Sequence, residues 1–361
     1  MTTPVVLPQP GDLRAVRAST DAVLEQFLDR KARTAAGRHL PTEVTAVLRG
    51  FLMAGGKRLR PLLCVTGWHA AGGHGALKPV LQTAASLEMF HAFALIHDDI
   101  MDNSDTRRGQ PTVHRTLTAR HPQTHTLPGQ VHTGTGAALL IGDLALSWSD
   151  ELLHSAGLTT RQLTAVLPLI DTMRTEVMYG QYLDLTATGH PTDDLQRALA
   201  IAHYKTAKYT VERPLHIGAT LAGASEELLA ALSDFALPMG EAFQLRDDLL
   251  GVFGTASRTG KPVQDDLRDG KHTALIALAL QRATPHQHRT LTDLLGNPAL
   301  DEKDAQHLRH ILIQTRAPQT IEQLIDERTR QAERALAHAA LLPEAATTLR
   351  ELAKAATTRT T

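Results

Sequence analysis

Asp98, Asp99 and Asp102 close an apolar run, KPVLQTAASLEMFHAFALIHDDIMD, and Arg107 and Arg108 follow at once. On a helix Asp98 and Asp102 lie about 40° apart around the axis and roughly 6 Å apart along it, with Asp99 turned about 100° from Asp98. At an effective dielectric near 20 each such pair repels by roughly 2 to 3 kcal/mol, so the group calls for protons or cations. Hard oxygen ligands without sulfur or clustered imidazole favour Mg²⁺ over zinc. A solvated helix end is the plainer reading of one such motif, although acids at a helix C-terminus oppose the macrodipole. The run lacks the alternating acids and sixth-position glycine of an EF-hand.

A second cluster changes the balance. MGEAFQLRDDLLGVFG, residues 239–254, sets Asp247 and Asp248 late in another apolar helix, with Gln244 three before on the same flank. Two acidic helix ends could face each other across one cavity. Basic groups stand nearby: Lys57, Arg58 and Arg60 on the glycine-led turn AGGKRLRP, Lys205 and Thr206 in HYKTAKYTVERP, and Lys261 and Lys271 around the segment after the second acids. Glycine amides, a helix start and guanidinium groups suit a diphosphate, and any single one of these side chains could equally be a surface charge. Together with paired acids they describe an anionic ligand bridged by metal.

Such tips need long helices to carry them. Apolar residues recur at three- and four-residue spacing, aromatics are only 4% of the chain, and the predicted class is all-α. Helices are expected at about 11–36, 41–54, 59–72, 77–103, 133–157, 159–187, 192–211, 225–253 and 271–282, with several more over 286–357. Thr42 is the expected N-cap of the second. Three polar stretches, 104–132, 186–194 and 254–273, read as binding or closing loops. No linker divides the chain, so one domain over 1–361 is expected, with 1–12 an extended arm.

The bulk composition narrows the partners. Lys and Arg number 37 against 38 Asp and Glu, so no overall field recruits nucleic acid or an anionic membrane. No run approaches the ~20 apolar residues of a membrane span, and the N-terminus lacks the pattern of a signal peptide. The one cysteine, Cys64, excludes an internal disulfide and suits a reducing cytoplasmic setting. The nineteen histidines are scattered, and those such as His121, His125 and His132 read as solvent-facing.

In order, GGKRLRP, HDDIMDNSDTRRGQPTVH, GQYLDL, YKTAKYT, GEAFQLRDDLLGVFG and GKPVQDDLRDGKHT resemble the motifs of the trans-isoprenyl diphosphate synthases, the polyprenyl synthetase family, over about residues 50–280. The resemblance implies a helical bundle around a deep cavity, usually in a homodimer. It also implies head-to-tail condensation of isopentenyl diphosphate with allylic diphosphates (dimethylallyl, geranyl, farnesyl), releasing diphosphate. Three Mg²⁺ ions are implied, two on Asp98 and Asp102 and one on Asp247, with Asp248 acting through water. Arg107, Lys205 and Lys261 would hold the leaving diphosphate, and Lys57, Arg60, His91 and Arg108 isopentenyl diphosphate. Asp99, Thr206, Gln244 and Lys271 complete the expected site.

One position departs from the family pattern: Gly251 stands where the second motif usually ends in aspartate, and activity is expected to survive. Ala94, one turn before Asp98, leaves room for a growing tail. Phe93 resembles the bulky stop of medium-length synthases, yet an ideal helix turns it about 140° away from Asp98. The expected product is C20 geranylgeranyl diphosphate, with C15 farnesyl diphosphate as the alternative. A class I terpene cyclase would have no second diphosphate for GGKRLRP and Arg108 to hold, and a non-catalytic partner subunit would have lost several ligands.

Overall fold

The computed structural model describes residues 11–121, 133–255 and 264–357. Its helices are α1 Leu13–Gly37, α2 Glu43–Met53, α3 Leu59–Ala70, α4 Lys78–Met101, α5 Val113–Arg120, α6 Thr133–His154, α7 Thr160–Ala187, α8 Leu195–Ile201, α9 Arg213–Leu221, α10 Glu226–Phe253, α11 Asp265–Arg268, α12 Ala274–Arg282, α13 Pro285–Leu294, α14 Glu302–Gln314, α15 Ala317–His338 and α16 Pro343–Thr357. The all-α expectation holds: among the described residues the only strands are β1 Thr106–Arg107 and β2 Gln110–Pro111.

Local chemistry sets the ends that matter. Thr159 and Gln162 form a capping box that starts α7, and Ser225 caps α10, with Glu226 and Glu227 in its first turn. Helix α4 is apolar on nearly every side because neighbours cover it, and α6 is packed closely along it. It stops at Met101. The Asp102 N–H donates to the Asp98 and Ile100 carbonyls, and Asn103 turns left-handed at φ 50°.

Several expectations need correction. Thr42 is helical in its own backbone and makes no side-chain cap. The helix expected over 192–211 runs on: α8 passes into a π-helical segment, Ala202–Glu212, and then into α9. Pro214 does not break it, because in the first turn of α9 its missing N–H costs little. The wide π turn lies beside the cavity, where Lys205, Thr206, Tyr209 and Thr210 all line the wall. Neighbouring helices press close on it, since a Cβ on Gly180 of α7 would come 2.7 Å from the Lys205 nitrogen. One on Gly240 of α10 would come 2.4 Å from the Ala207 Cα.

The polar stretch 104–132 is not all loop. It contains the β1–β2 hairpin, whose two-residue turn has Arg108 and Gly109 both at positive φ, and then α5. Part of 254–273 is α11. The stretch 186–194 is pinned rather than open, as Gly189 N–H donates to the Gly270 carbonyl at 3.0 Å and Thr192 N–H to His272 Nδ1 at 3.3 Å. His272, His114 and His216 are buried, contrary to the solvent-facing expectation, because each sits under packed elements. His121 is exposed and lies 2.8 Å from Glu43. Lys261, His125, His132 and residues 1–10 of the expected arm fall outside the described residues.

Candidate active site

A cavity of about 1410 Å³ opens between α4, α7, the π segment and α10. Both acidic helix ends reach it, through Asp98 on α4 and through Asp247 and Asp248 on α10. Lys57, Arg60, His91, Arg107, Arg108, Lys205, Thr206, Gln244 and Lys271 line it as well. Apolar side chains, among them Ala94, Leu95, Val177, Ile201 and Phe243, complete the wall. Phe93 also lines it, although a helical wheel turns Phe93 away from Asp98; the cavity spreads around the α4 face instead of following one line of side chains. Phe93 stacks on Phe90 at 5.3 Å and on His97 at 4.7 Å between ring centroids.

The first acidic end is already matched by cations. Asp98 accepts from Arg107 at 3.1 Å, Lys205 at 3.1 Å and Gln181 at 3.0 Å. Lys205 also donates to Asp184 at 2.6 Å, and Lys271 to Asp102 at 2.8 Å. Burial works against the charge on Lys205, but Asp98 and Asp184 outweigh it and lift its pKa. Lys271 is lifted further, well above the ordinary lysine value, with Asp102 overcoming the cost of burial. Asp99 departs from its expected place. It is buried and does not line the cavity, and its carboxylate accepts from Arg107 Nε at 2.6 Å.

The second end is recessed. Burial, and then the nearby Asp266, push Asp247 up to about 7; burial likewise raises Asp248 to about 7, against a hydrogen bond from Gln244. Thr206 donates to Gln244 at 2.5 Å and Gln244 Nε2 donates to Asp248 at 2.7 Å, which ties the π segment to this helix end.

The glycine-led turn splits its three cations. Arg58 is left-handed and buried, and its guanidinium is committed to Asp21 at 2.7 Å, Glu88 at 2.8 Å and the Leu52 carbonyl at 2.6 Å, so it cannot join an anion site as expected. Lys57 is exposed at the mouth, 5.1 Å from the Phe243 ring centroid. Arg60 lies over the Tyr209 ring at 4.1 Å, donates to Thr210 at 2.5 Å, and keeps a buried Nε with no partner. Arg108 donates to the Gly55 carbonyl. His91 lies 3.3 Å from the Tyr209 hydroxyl, and burial together with Arg60 and Arg108 holds it well below the ordinary histidine pKa. It is a neutral hydrogen-bonding group.

Gln181 and Asp184 were not assigned roles from the sequence. Their signal was the three-residue spacing that puts both on one flank of α7 within GQYLDL. The donor set fits Mg²⁺, since the available ligands are carboxylate oxygens and the unpartnered Arg60 Nε awaits an anion. Among the described residues no three His, Cys, Asp or Glu converge as a complete metal cage, so diphosphate and water oxygens would finish the coordination.

Comparison with known proteins agrees with this geometry. Residues 41–312 match the Polyprenyl synthetase family. A geranylfarnesyl diphosphate synthase of Aeropyrum pernix is 32% identical over 280 residues, 77% of this chain and 81% of that one. A geranylgeranyl diphosphate synthase of Saccharolobus solfataricus is 31% identical over 261 residues, covering 72% and 73%. The structure of a geranylgeranyl pyrophosphate synthase from Corynebacterium glutamicum, complexed with isoprenyl diphosphate and magnesium, superposes with a TM-score of 0.92 at 41% identity, covering 97% of this chain and 100% of that one. The chain therefore belongs to the polyprenyl synthetase family of prenyltransferases.

Proposed function

We propose that this chain joins isopentenyl diphosphate to allylic diphosphates in a Mg²⁺-dependent, head-to-tail condensation, and that its main product is C20 geranylgeranyl diphosphate. The observation that carries the reading is one cavity lined by two acidic helix ends, by several cations and by apolar side chains. Asp98, Asp102 and Asp247 would hold magnesium, three ions in the family's manner, and the metal would supply positive charge to the departing diphosphate. Arg107 and Lys205 exchange their hold on Asp98 for diphosphate oxygens, which keeps them aligned by Asp99 and Asp184 while they do so. Lys57, Arg60 and Arg108 carry the second diphosphate, with His91 as a neutral donor behind them. Phe243 and Val177 keep water from the allylic cation. The double bond of isopentenyl diphosphate would attack the allylic cation left by C–O cleavage, and the expelled diphosphate would take the proton, since the neighbouring acids would be committed to metal.

The C20 product is supported by the relatives' names and by the placement of Phe93 and Ala94 in the wall. Incubating the chain with Mg²⁺, isopentenyl diphosphate and C5, C10 or C15 starters, then sizing the dephosphorylated alcohols, tests the reading. Elongated C20 product supports it; hydrocarbon from geranylgeranyl diphosphate alone would mean a cyclase, and no elongation a non-catalytic subunit. A homodimer is proposed because, away from the cavity, α7 exposes Tyr179 and α6 exposes Leu139 and Leu140. Light scattering of the purified chain tests this. No helix among the described residues is long and apolar enough to cross a membrane. Action as one domain in the cytoplasm is part of the same proposal.

A further inference from the structure

The π segment Ala202–Glu212 has two faces with different partners. Lys205, Thr206, Tyr209 and Thr210 line the cavity, whereas Lys208 and Glu212 do not, nor does Arg213 at the start of α9. These three meet charged groups behind the wall. Arg213 donates to the Glu176 carboxylate of α7 through Nε and Nη2, both at 2.7 Å, and Lys208 Nζ lies 3.3 Å from the same carboxylate. Lys208 also donates to Glu212 at 3.2 Å, and Glu212 accepts from Ser233 of α10 at 2.7 Å. Lys208 and Arg213 are five residues apart. On an α-helix that spacing sets two side chains about 140° apart, on nearly opposite flanks. A π turn bonds i to i+5 and brings them to one side, and the Arg213 N–H does donate to the Lys208 carbonyl. Glu176 therefore bridges the side chains of the two residues that close the last π turn.

We propose that Glu176 is a positioning residue for the allylic diphosphate: by holding Lys208 and Arg213 together it keeps this turn wound as π, and the winding places Lys205 on the cavity wall. Rewinding one π turn as α shifts the chain on one side of it by a residue, about 100° around the axis and 1.5 Å along it. Such a shift would carry Lys205 away from Asp98 and Asp184, which it reaches at 3.1 and 2.6 Å. Helix α7 thus grips the segment twice, eight residues apart, through Glu176 behind the wall and Asp184 on it. As a source of stability the network is weak, since largely buried charges cost about as much to take from water as their pairing returns. What it fixes is one geometry. The inference rests on reading the cavity as a diphosphate site, and it gives a task to a charge cluster outside that cavity.

The test measures kcat and KM for both substrates on the full chain with Mg²⁺, alongside the melting temperature. Glu176→Gln keeps the shape and removes the charge. It is expected to lower kcat/KM for the allylic diphosphate about 10- to 100-fold, the scale of a misplacement of about 1 Å, and to leave KM for isopentenyl diphosphate within about twofold. In a Lys205→Met background the same change should add almost nothing, because Glu176 acts through Lys205. Arg213→Lys keeps a charge but loses the two-pronged hold; it should give the same selective loss, and it takes the place of Glu176→Gln if that variant does not fold. Unchanged allylic kcat/KM would overturn the proposal. So would equal losses for both substrates with a lowered melting temperature, or losses that multiply in the double variant. A wild-type chain that elongates no allylic starter would instead remove the reading of the cavity on which the proposal stands.

Discussion

The Lys271 ammonium lies 2.8 Å from Asp102 Oδ2, joining the first acidic helix end to the turn after α11 across 169 residues. Lys205 does the same between Asp98 and Asp184. The cations that the proposed function assigns to diphosphate thus rest on carboxylates of the same cavity. Neither partner is left uncompensated in the low-dielectric cavity, where an isolated charge would be costly. On the proposed function, binding would be an exchange of partners, in which the acids would turn to magnesium and the cations to diphosphate.

That exchange predicts how Lys271→Met behaves. Without ligands Asp102 loses its buried partner, and the variant is expected to be less stable by about 3 kcal/mol. Magnesium and diphosphate together give Asp102 a cation, so the difference in melting temperature from wild type should narrow when both are added. Thermal unfolding in the two conditions checks this, and kcat/KM for the allylic substrate should fall on the order of 100-fold. A gap in melting temperature that stays the same would show that Lys271 and metal do not compete for one carboxylate.

The second end predicts a pH dependence of definite sign. Asp247 and Asp248 titrate at about 7 in the folded protein against an ordinary value of 3.8, so the folded state binds more protons between those limits. Their contribution to stability without metal is greatest at low pH and is lost as pH rises through 7. His91 acts oppositely, as its lowered pKa removes stability when pH falls below 6.5. Magnesium requires the ionised acids, so Mg²⁺-dependent diphosphate affinity should weaken as pH falls below about 7, with proton release on binding. Calorimetry in buffers of different ionisation enthalpy measures that release. Asp247→Asn should abolish most of it and lower kcat on the order of 1000-fold, about 4 kcal/mol.

Arg58 and Arg60 are two residues apart and should fail in different ways. Replacing Arg58 by alanine leaves Glu88 buried without its partner, and a loss of about 3 to 5 kcal/mol is expected in denaturant unfolding. Arg60→Ala should unfold near the wild-type denaturant concentration and instead raise KM for isopentenyl diphosphate. Matching stability losses in the two variants would contradict the division of that turn into one structural and one binding arginine.

Much of this arrangement was legible in the sequence because its signals are local. The helical period placed α4 and α10, and acids at the tips of apolar helices exposed Asp98, Asp247 and Asp248 as groups in need of cations. What was hidden depends on tertiary packing. Nothing near Arg58 announces Asp21 and Glu88, which arrive from α1 and α4. The helix expected to end at 211 runs on through Pro214, because the wide π turn before it has no simple periodicity. Asp99 looks equivalent to Asp98 until the hairpin brings Arg107 against its buried side. Nothing near Gly251 announces that the Asp266 carboxylate packs against its backbone.

The apolar wall carries the last prediction. Phe93 is half-buried, stacked between Phe90 and His97, and lines the same cavity as Ala94. Each isoprene unit adds five carbons, and burying them is worth on the order of 4 kcal/mol, so the chain grows as long as space remains. Removing the ring in Phe93→Ala opens room and should shift the product from C20 toward C25 and longer. Filling the next position in Ala94→Phe narrows the channel and should shift it toward C15. Chromatographic sizing of dephosphorylated products from a C10 starter reads both changes. If Phe93→Ala left the distribution at C20 while Ala94→Phe shortened it, the tail would pass Ala94 without reaching Phe93, and other residues would end the channel.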